Sequence, residues 1–486
     1  MAEQPDQYGD QPNVLLVMTD QQRVDSIGAY GNDWVDTPSL DELASEGTRF
    51  DRAYTPSAIC SPARAAVLSG MRPHRNGVTR NANEGTSLAD LPCYPNRLRE
   101  AGYNVGHVGK MHVGQPPEAF EMDGKHYPGW YYPHDHPDYM EYLKTRDFPQ
   151  MNAERLRDAF PNGGSTYQSG AVDDRPVEAS FTHFLTEGAL DRMNEYGGDA
   201  PETPFYLGVQ YFGPHNPYYL PEEYLHMYNP DDIELSEAAI KETFEQKPWV
   251  HQIQAKKSRL SELSIEDWRR QIAAYHGWVT FIDHQVGRLL DALDKRGVRE
   301  DTIIVYTSDH GAFLTRHKMH DKGPAMYEDI YNIPFLVSGL DGFDDTEDRF
   351  VSLLDLAPTF CDAAGVDILE TYDGLSLISL GDEGGQWRDH VRAEFHGHQF
   401  AYEQRMIREE RYKLVLNAYD TDEFYDLQSD PNELDNRIGD PEYGADAKRI
   451  YQRLMAELRA EDDPFVTGPD RKVSKISDVG FEPYQQ

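Results

Sequence analysis

Short apolar runs alternate with helix-like patterns along much of the chain. Asn13-Val14-Leu15-Leu16-Val17-Met18 has the length and β-branched content of a buried strand, and similar runs extend from Phe205 to Phe212 and from Thr302 to Tyr306. Between Val279 and Leu293 the apolar residues keep helical spacing, and Lys295-Arg296-Gly297 is typical of a helix end. Strands that alternate with helices predict an α/β fold, in which helices cover both faces of a largely parallel sheet.

The N-terminal part of the chain adds two predicted helices and another strand. Thr37-Pro38-Ser39 begins the first helix, with Thr37 as its N-cap and proline in its first turn, and Gly47 ends it. The second helix runs from about Pro95 to Ala101 and leads into a strand from Tyr103 to Val108. These elements continue the alternation of helix and strand.

A change of pattern near residue 388 predicts two domains. Residues 11–388 carry the α/β pattern, and residues 389–486 form a smaller α+β subdomain with a loosely held tail. Three short apolar runs in the second region predict an antiparallel sheet: Met406-Ile407-Arg408, Arg411 to Leu416 and Glu423 to Leu427. A helix is expected to pack behind that sheet through one apolar face, formed by Ile450, Leu454 and Leu458.

The stretch from about residue 115 to residue 204 interrupts the first domain. It is rich in Tyr, Pro, His, Gly and Asp and shows weak periodicity, so we predict an irregular insertion over one face of the sheet that shapes substrate access. Its aromatic and histidine side chains include Trp130, Tyr131, Tyr132, His134 and His136. Two interpretations of these side chains stay open: they stack on sugar rings, or they pack a lid against itself.

The balance of charge narrows the range of partners. The 486-residue chain holds 85 acidic against 46 basic residues, and its net charge of −39 repels nucleic acid and anionic membranes. The acidic excess is spread along the chain and is not gathered in a tail. We therefore favour a surface adapted to high salt over a merely acidic one, because counter-ions then screen the self-repulsion.

Composition also gives an expectation for the cellular location. Residues 1–12 are polar and acidic, and no apolar run is long enough to span a bilayer, so we predict neither a signal peptide nor a membrane anchor. The three cysteines, Cys60, Cys93 and Cys361, do not suggest a disulfide framework. A reducing cytoplasm fits this pattern best, unless a leader has been removed.

Polar and ionisable side chains follow four of the predicted strands. In chain order they are Asp20 and Gln21, Lys110 and His112, His215, and Asp309 and His310. Taken singly, each has an ordinary explanation as a helix N-cap, a solvated loop residue or a turn residue. Because ligands of open α/β sheets bind outside the carboxyl ends of the strands, the coincidence predicts one shared site.

The segment Cys60-Ser61-Pro62-Ala63-Arg64 adds an anion-binding feature. A cysteine that opens a helix, with arginine four residues later, lies close to the N–H groups of the first turn and to a fixed cation. Carboxylate, amide and imidazole groups at the strand ends suit a divalent cation such as Ca²⁺, Mg²⁺ or Mn²⁺. Arg64, Lys110 and Lys322 supply positive charge for a tetrahedral oxyanion. Nucleophile, metal and cations together predict sulfuryl or phosphoryl transfer.

The same residues fall into an ordered set of motifs. These are Thr19-Asp20, the C-x-P-x-R motif from Cys60 to Arg64, Gly109 to Gly114, Pro214 to Tyr218, Ser308 to Gly311, Asp321-Lys322-Gly323, and later Arg411-Tyr412-Lys413 and Tyr425-Asp426-Leu427 before Asp430-Pro431. From about Asn13 to Asp440 the chain resembles the type I, formylglycine-dependent sulfatases of the alkaline phosphatase-like superfamily. The resemblance implies a large mixed, mostly parallel sheet sandwiched by helices, and hydrolysis of a small-molecule or carbohydrate sulfate ester.

The resemblance also implies a role for each site residue. Cys60, oxidised to formylglycine by a formylglycine-generating enzyme, attacks sulfur as the aldehyde hydrate, and the resulting sulfated hemiacetal collapses to expel sulfate. His112 assists the collapse as a base, while Lys110 and Arg64 hold the hydrate. Lys110, His215 and Lys322 bind the substrate, and the last two stabilise or protonate the leaving oxygen. The metal, calcium before magnesium or manganese, is held by Asp20, Gln21, Cys60, Asp309 and His310.

Three positions depart from the commonest sulfatase pattern. Gln21 stands where many sulfatases have a second aspartate, and His310 stands where many have asparagine, which lowers the negative charge of the site and bears on the preferred metal. Leu314-Thr315-Arg316-His317 lacks the Gly-Asp often found before that histidine, so we assign His317 no role.

Two alternatives to a sulfatase follow from these observations. The combination of Gln21 and His310 is similar to phosphonate monoester hydrolases and choline sulfatases, so cleavage of phosphonate monoesters or phosphodiesters stays open. A non-catalytic binding protein with an unmodified Cys60 is the other alternative. The sequence leaves the substrate and the oligomeric state open.

Overall fold

The predicted strands that begin at Asn13, Phe205 and Thr302 belong to one eight-stranded sheet. The computed structural model describes residues 11–81, 88, 90–127, 136–151, 170–196, 203–381, 387–398, 401–467, 476–477 and 480–481. The large sheet consists of β1 to β8, which are Asn13–Thr19, Thr48–Phe50, Asn104–Lys110, Asp123–Tyr127, Phe205–Gln210, Thr302–Ser308, Phe335–Ser338 and Thr346–Glu347. Their spatial order is β8-β2-β7-β6-β1-β5-β3-β4.

Most neighbouring strands of this sheet run parallel. β1 pairs in parallel with β5 and β6, β3 pairs in parallel with β4 and β5, and β8 pairs in parallel with β2. β7 is antiparallel to both β2 and β6, so the sheet is mixed. Because the central strands β6, β1, β5 and β3 share one direction, their carboxyl ends lie at one edge.

Helices cover and connect these strands. Within the described residues the helices α1 to α15 are Pro38–Glu46, Cys60–Ser69, Pro73–Asn76, Tyr94–Glu100, Pro137–Thr145, Phe181–Glu195, Glu222–Leu225, Glu237–Lys241, Trp249–Ser258, Ile265–Arg296, Glu328–Tyr331, Leu356–Ala363, Leu377–Gly381, Gly444–Ala460 and Pro464–Thr467. None of the helices in these ranges combines the length and the apolar composition that a bilayer crossing needs.

The pleat of the central strands divides the core into two layers. On one face, Leu15 and Val17 of β1 belong to the same buried cluster as Leu289 of α10. On the other face, Leu16 clusters with Phe360 of α12. A strand that is buried on both faces has no polar side, which is why β1 appears in the sequence as an uninterrupted apolar run. The predicted α/β fold with a mostly parallel, two-sided sheet is confirmed.

Helix α1 begins where the sequence predicts, but its cap comes from a distant residue. Thr37 occupies the N-cap position without a capping hydrogen bond, and its Oγ1 instead accepts from the Gly28 N–H at 2.8 Å. The first-turn N–H groups of Ser39 and Leu40 donate to the carboxyl group of Asp283 on α10, at 3.2 and 2.8 Å. A long-range partner therefore replaces the predicted local cap and ties α1 to α10.

Helix α10 begins well before its predicted apolar stretch. Its start is a capping box, in which the Asp267 N–H donates to Ser264 Oγ at 3.1 Å and the Ser264 N–H donates to Asp267 Oδ2 at 3.0 Å. The periodic run from Val279 to Leu293 is only the later part of this 32-residue helix. The capping box was the signal for the true start.

The C-terminal region contains the expected antiparallel sheet. Strands β9 to β12 pair in chain order and are His390–Phe395, Gln404–Glu409, Tyr412–Asn417 and Glu423–Asp426. Ile450, Leu454 and Leu458 of α14 pack in one cluster with side chains of this sheet. The sheet and its covering helix are confirmed, with β9 as an additional strand, while the domain boundary at 388/389 stays a prediction.

Three short strand pairs complete the described structure. They are Ala53–Tyr54 with Val351–Ser352, Gly170–Asp173 with Tyr218–Pro221, and Ile476–Ser477 with Gly480–Phe481. The second of these pairs begins inside the stretch that the sequence marks as an insertion.

That insertion lies partly outside the described residues. Trp130, Tyr131, Tyr132 and His134 are among the residues that the structure does not describe, so their stacking or lid role stays a prediction. His136 precedes α5, and its Nδ1 accepts from the Asp138 N–H at 3.3 Å. Helix α6 contributes buried residues to the cluster that contains α10, so this part of the stretch is regular and belongs to the core.

Candidate active site

The central strands of the large sheet end beside one another and carry the predicted polar residues. Asp20 and Gln21 follow β1, Asp309 and His310 follow β6, Lys110 is the last residue of β3, and His215 follows β5. The ends are joined by the backbone, since the Asp20 N–H donates to the Gly213 carbonyl at 3.2 Å and the Asp309 N–H donates to the Thr19 carbonyl at 3.1 Å. All of these side chains are buried apart from His215, which is half-buried. The structure therefore brings the strand-end residues to one place.

Cys60 opens helix α2 at the same edge of the sheet. Its Sγ lies 3.3 Å from Nε2 of His310 and 3.8 Å from Oδ1 of Asp20. The side chain is only 1% exposed. The thiol thus lies between the first turn of a helix and the strand-end residues, where an anion is favoured.

Arg64 lies one turn further along α2, is buried, and contacts several residues of the site at once. Its Nε donates to Asp309 Oδ2 at 2.9 Å, and its Nη1 donates to the Lys110 carbonyl at 2.7 Å and to Gln210 Oε1. Its Nη2 lies 3.4 Å from Asp20 Oδ2, an oxygen that also accepts from Lys110 Nζ. The rigid guanidinium fork therefore fixes both carboxylates relative to α2.

Asp20, Cys60, Asp309 and His310 form a group of candidate metal ligands. One ligand atom from each lies within 4.8 Å of the others. Nδ1 of His310 donates to the Gly311 carbonyl at 2.8 Å, and Nε2 is the nitrogen that faces this group. Burial opposes the charge of His310, but Asp309 and Cys60 raise its pKa. Two carboxylates, an imidazole nitrogen and a sulfur position fit a divalent cation.

Gln21 connects this group to Lys322. Its backbone is left-handed, with φ +69°, and its N–H donates to Asp309 Oδ1 at 3.1 Å. Its side-chain amide donates to Asn216 Oδ1 at 3.2 Å, and its Oε1 accepts from Lys322 Nζ at 3.3 Å. Left-handed backbone outside glycine costs energy and is held here by contacts on both sides.

The fixed cations shift the protonation equilibria of the site. Burial and Asp20 oppose ionisation of the Cys60 thiol, but Lys110, Lys322 and His310 outweigh them and lower its pKa to about 5. Burial also opposes ionisation of Asp20, yet Lys110, His215 and Arg64 hold the pKa of that carboxyl well below its usual range. A pKa shift of this kind at a buried nucleophile is typical of an active site.

Lys322 and His215 form a hydrogen-bonded pair. Lys322 Nζ lies 3.0 Å from His215 Nε2 and 3.1 Å from Asp321 Oδ1. His215 Nδ1 donates to the Asn216 carbonyl, which leaves Nε2 to accept from Lys322. Burial and Lys322 lower the pKa of His215 to about 4, so its imidazole is neutral near pH 7. The ammonium of Lys322 carries the positive charge of the pair.

His112 and His317, the two other histidines considered in the sequence, differ in their surroundings. His112 is buried, has a left-handed φ of +53°, and has its pKa lowered to about 2 by burial, Lys110 and Arg64. His317 instead stacks on Tyr327 with ring centres 3.8 Å apart, and its Nδ1 lies 2.6 Å from Glu242 Oε2. His112 therefore senses the charges of the candidate site, whereas His317 is engaged by a separate buried group.

Two contacts of the site were missed in the sequence. Gln210 binds Arg64, and Asn216 binds the Gln21 amide. Gln210 is the last residue of β5, so the rule that singled out Lys110 at the end of β3 could also have found it. Asn216 stood inside the Pro-His-Asn-Pro-Tyr motif, without a feature that marked it as a partner of Gln21.

Comparison with known families decides the ancestry of this site. The sequence profile of the family described as Sulfatase matches residues 12–366. The chain belongs to the sulfatase family. A second profile, described as N-sulphoglucosamine sulphohydrolase, C-terminal, matches residues 315–461 of this sulfatase.

Curated relatives cover nearly all of the sulfatase chain. The N-acetylglucosamine-6-O-sulfatase of Bacteroides thetaiotaomicron is 28% identical over 510 residues, which cover 95% of this chain and 88% of that protein. The arylsulfatase of Clostridium perfringens is 28% identical over 486 residues, which cover 94% of this chain and 96% of that protein. Both relatives and the family support a hydrolase that acts on sulfate esters.

A solved structure shows how widely the fold is shared. The crystal structure of the phosphonate monoester hydrolase of Agrobacterium radiobacter matches the sulfatase with a TM-score of 0.77 and 24% identity, covering 98% of this chain and 100% of that chain. The likeness confirms the alkaline phosphatase-like fold. Because the fold also occurs in a phosphonate hydrolase, reaction specificity has to be argued from the site.

Proposed function

We propose that this sulfatase hydrolyses a sulfate ester to an alcohol and inorganic sulfate, with formylglycine made from Cys60 as the nucleophile and a divalent metal beside it. The position of Cys60 carries the proposal: its Sγ lies against His310 and Asp20 at the start of α2, with Arg64 and Lys110 around it. The sulfur atom marks the place of the aldehyde hydrate after oxidation. A formylglycine-generating enzyme is the maturation partner that the proposal requires.

The donor groups of the chain fit the proposed metal. Asp20, Asp309 and His310, which group with residue 60, would hold it together with an oxygen of oxidised residue 60. Gln21 is the further ligand that we propose, with calcium as the first choice of metal and magnesium or manganese as alternatives. When bound, the metal supplies Lewis-acid catalysis and orients the sulfate group. The Gly311 carbonyl holds the Nδ1 hydrogen of His310, so Nε2 is the nitrogen that would bind the metal after losing its proton.

The fixed cations would bind the sulfate group and stabilise its charge. Burial opposes the charge of Lys322, but Asp321 and Cys60 raise its pKa, so its ammonium stays protonated. Lys322 and His215 are in contact, so both can reach one leaving oxygen, which Lys322 stabilises and the pair can protonate. Lys110 supplies a second ammonium from β3. Lys322 would therefore act on the leaving group, while the nucleophile lies at the start of α2.

His112 would take the role of the proton acceptor. Its imidazole is neutral because burial, Lys110 and Arg64 lower its pKa to about 2. An anionic ester bound between those cations offsets their field and raises the His112 pKa, which increases its strength as a base when substrate is present.

Mass spectrometry and substrate screening test the proposed function together. The peptide that contains Cys60 should have the mass of the aldehyde, and the purified protein should release sulfate from aryl and carbohydrate sulfates. An active enzyme with an unmodified thiol would exclude the aldehyde mechanism. Paired aryl sulfate and aryl phosphonate substrates decide between the two hydrolase classes, because a strong preference for the phosphonate would overturn the sulfatase assignment. A confirmed aldehyde with stoichiometric metal and no turnover would favour the binding-protein alternative.

Metal binding is expected to depend on Asp309. The substitution Asp309→Asn removes one anionic ligand and the ion pair with Arg64. The metal content should therefore fall, and activity should fall by about 10²-fold or more. Elemental analysis of the purified variant measures the first effect and aryl sulfate turnover measures the second. Asp321→Asn is the matched control, because Asp321 contacts Lys322 but is not among the four candidate ligands. Equal metal loss in both variants would contradict this site.

The named relatives and the cysteines support proposals for the substrate and the location. The relatives include a carbohydrate sulfatase and an arylsulfatase, so we propose a carbohydrate or small organic sulfate ester as the substrate. Cys60, Cys93 and Cys361 are all free and buried, which supports the proposed reducing cytoplasm.

A surface adapted to high salt predicts a salt-dependent stability. The net charge of −39 destabilises the folded chain by self-repulsion, and salt screens this repulsion. We expect the unfolding midpoint to rise as KCl increases from about 0.1 M to about 2 M, because the Debye length falls from about 10 Å to below 3 Å. Thermal unfolding followed by circular dichroism measures the change. A midpoint that is independent of salt would reject the proposal.

A further inference from the structure

Helix α9 brings Lys257 close to the leaving-group side of the site. The Gln254 side-chain amide of α9 donates to the Lys322 carbonyl at 2.8 Å, and the His320 N–H donates to Ser258 Oγ at 2.9 Å. These two contacts fix the end of α9 to the loop that carries Lys322. Lys257 lies between the two anchors in sequence, is exposed, and interacts electrostatically with Asp321. The proposed reaction gives Lys257 no role.

His398 reaches the same place from the C-terminal subdomain. The chain around β9 is fixed to segments that flank Cys60, because the Glu394 N–H donates to the Pro56 carbonyl at 2.8 Å and Arg80 Nε donates to the His396 carbonyl at 3.1 Å. Gly397 follows with φ +98°, a left-handed turn that favours glycine. The next residue, His398, is half-buried and within electrostatic range of Lys322, Asp321 and Lys257.

Among the charged residues named at this place, cations outnumber carboxylates, although the protein as a whole is strongly acidic. Burial lowers the pKa of His398 to about 4, and Lys322 and Lys257 add to the lowering, so its imidazole is a neutral hydrogen-bond donor. The cations around the site are Arg64, Lys110, Lys322 and Lys257, against the carboxylates of Asp20, Asp309 and Asp321. Once Cys60 is converted, these four cations exceed the three carboxylates by one charge, and a bound divalent cation would raise the excess to three, against the single negative charge of a sulfate monoester. The surplus favours a ligand that carries more negative charge.

We propose that Lys257 and His398 bind a second negatively charged group on the leaving alcohol, a carboxylate or another sulfate. The inference rests on the proposed function, since Lys322 and His215 mark the leaving-group side only when the chain cleaves a sulfate ester. Lys257 supplies the counter-charge and His398 supplies a neutral N–H donor. The substrate class is then an anionic sulfate ester, such as a sulfated uronic acid or a sugar with two sulfates, and a sulfate ester of a cationic alcohol is disfavoured.

Kinetics on matched substrates test this subsite. The substrates are 4-nitrophenyl sulfate, its counterpart with a carboxylate on the ring, and choline sulfate, all measured on the full-length protein at one salt concentration. Lys257→Ala should lower kcat/KM for the carboxylated substrate by about three- to tenfold and leave that for 4-nitrophenyl sulfate unchanged. Lys257→Glu should lower kcat/KM for the carboxylated substrate further and should raise kcat/KM for choline sulfate. His398→Ala should likewise affect the carboxylated substrate selectively. Lys256→Ala is the control, because Lys256 is an equally exposed neighbour on the same helix.

The outcomes separate this inference from the proposed function. Selective loss on the carboxylated substrate supports the subsite. Equal loss on both aryl sulfates, or the same effect from Lys256→Ala, overturns the subsite and leaves the sulfatase activity standing. Failure of the wild type to hydrolyse any of the three substrates counts against the proposed function instead. In that case calorimetric binding of the carboxylated compound still decides the subsite, because weaker binding by Lys257→Ala supports it and unchanged binding overturns it.

Discussion

Replacing Cys60 with alanine is expected to lower kcat for aryl sulfate hydrolysis by about 10⁴-fold or more. The change removes the atom from which the proposed nucleophile is made. Alanine is smaller than cysteine and favours the helix, so the start of α2 should be retained. Turnover at saturating substrate measures the loss, and far-ultraviolet circular dichroism shows whether the fold is retained.

A second buried cysteine provides the control for this experiment. Cys93 is also fully buried, but burial alone raises the pKa of its thiol to about 12, so it is chemically inert at neutral pH. Cys93→Ala should therefore retain activity, and its Cys60 peptide should still carry the aldehyde. If Cys60→Ala retained activity within about tenfold of the wild type, the nucleophile would have to be another group.

The central strands were predictable because their burial is total. A strand covered on both faces must be apolar at every position, and β1, β5 and β6 all begin at or next to the residue where the sequence placed them. The two outermost strands on one side of the sheet, β8 and its neighbour β2, are only two and three residues long, so their local patterns carry little information. The cap of α1 by Asp283 depends on the packing of a helix far away in the chain, and no local pattern could show it.

The candidate site also contains residues that could be grouped from the sequence and one that could not. Asp20, Lys110, His215 and Asp309 could be grouped from the sequence because each follows a strand, and parallel strands share an edge. His398 could not be grouped with them, because its position depends on how the second subdomain docks against the Cys60 loop. The sequence therefore predicted which residues gather at the strand ends, while the approach of His398 to them required the tertiary structure.

A large loss of stability is expected from Arg405→Met in the C-terminal subdomain. Arg405 is 1% exposed, and its guanidinium binds both carboxylate oxygens of Asp463 at 2.7 Å. It also helps to hold the pKa of the buried Glu394 well below its usual range, although burial alone would raise it. Removing it leaves two buried carboxylates without this counter-ion, so the free energy of unfolding should fall by about 3 to 5 kcal/mol. Urea unfolding at constant high salt measures the change.

The pH dependence of the same variant distinguishes an unpaired buried charge from lost packing. In the wild type, burial opposes ionisation of Asp463 but Arg405 lowers its pKa, so the pair adds stability above the unfolded pKa of that carboxyl, and this stability is lost as pH falls. In Arg405→Met the unpaired carboxyl of Asp463 has a raised pKa. The difference in free energy of unfolding between the wild type and the variant should therefore shrink as pH falls toward about 4.

Arg405→Met combined with Asp463→Leu should recover part of the lost stability, because no unpaired charge is then buried at that position. Arg270→Met, which removes an exposed ion pair with Glu266, should change the urea midpoint little at any pH. A deficit for Arg405→Met that is independent of pH would assign the loss to packing of the arginine side chain.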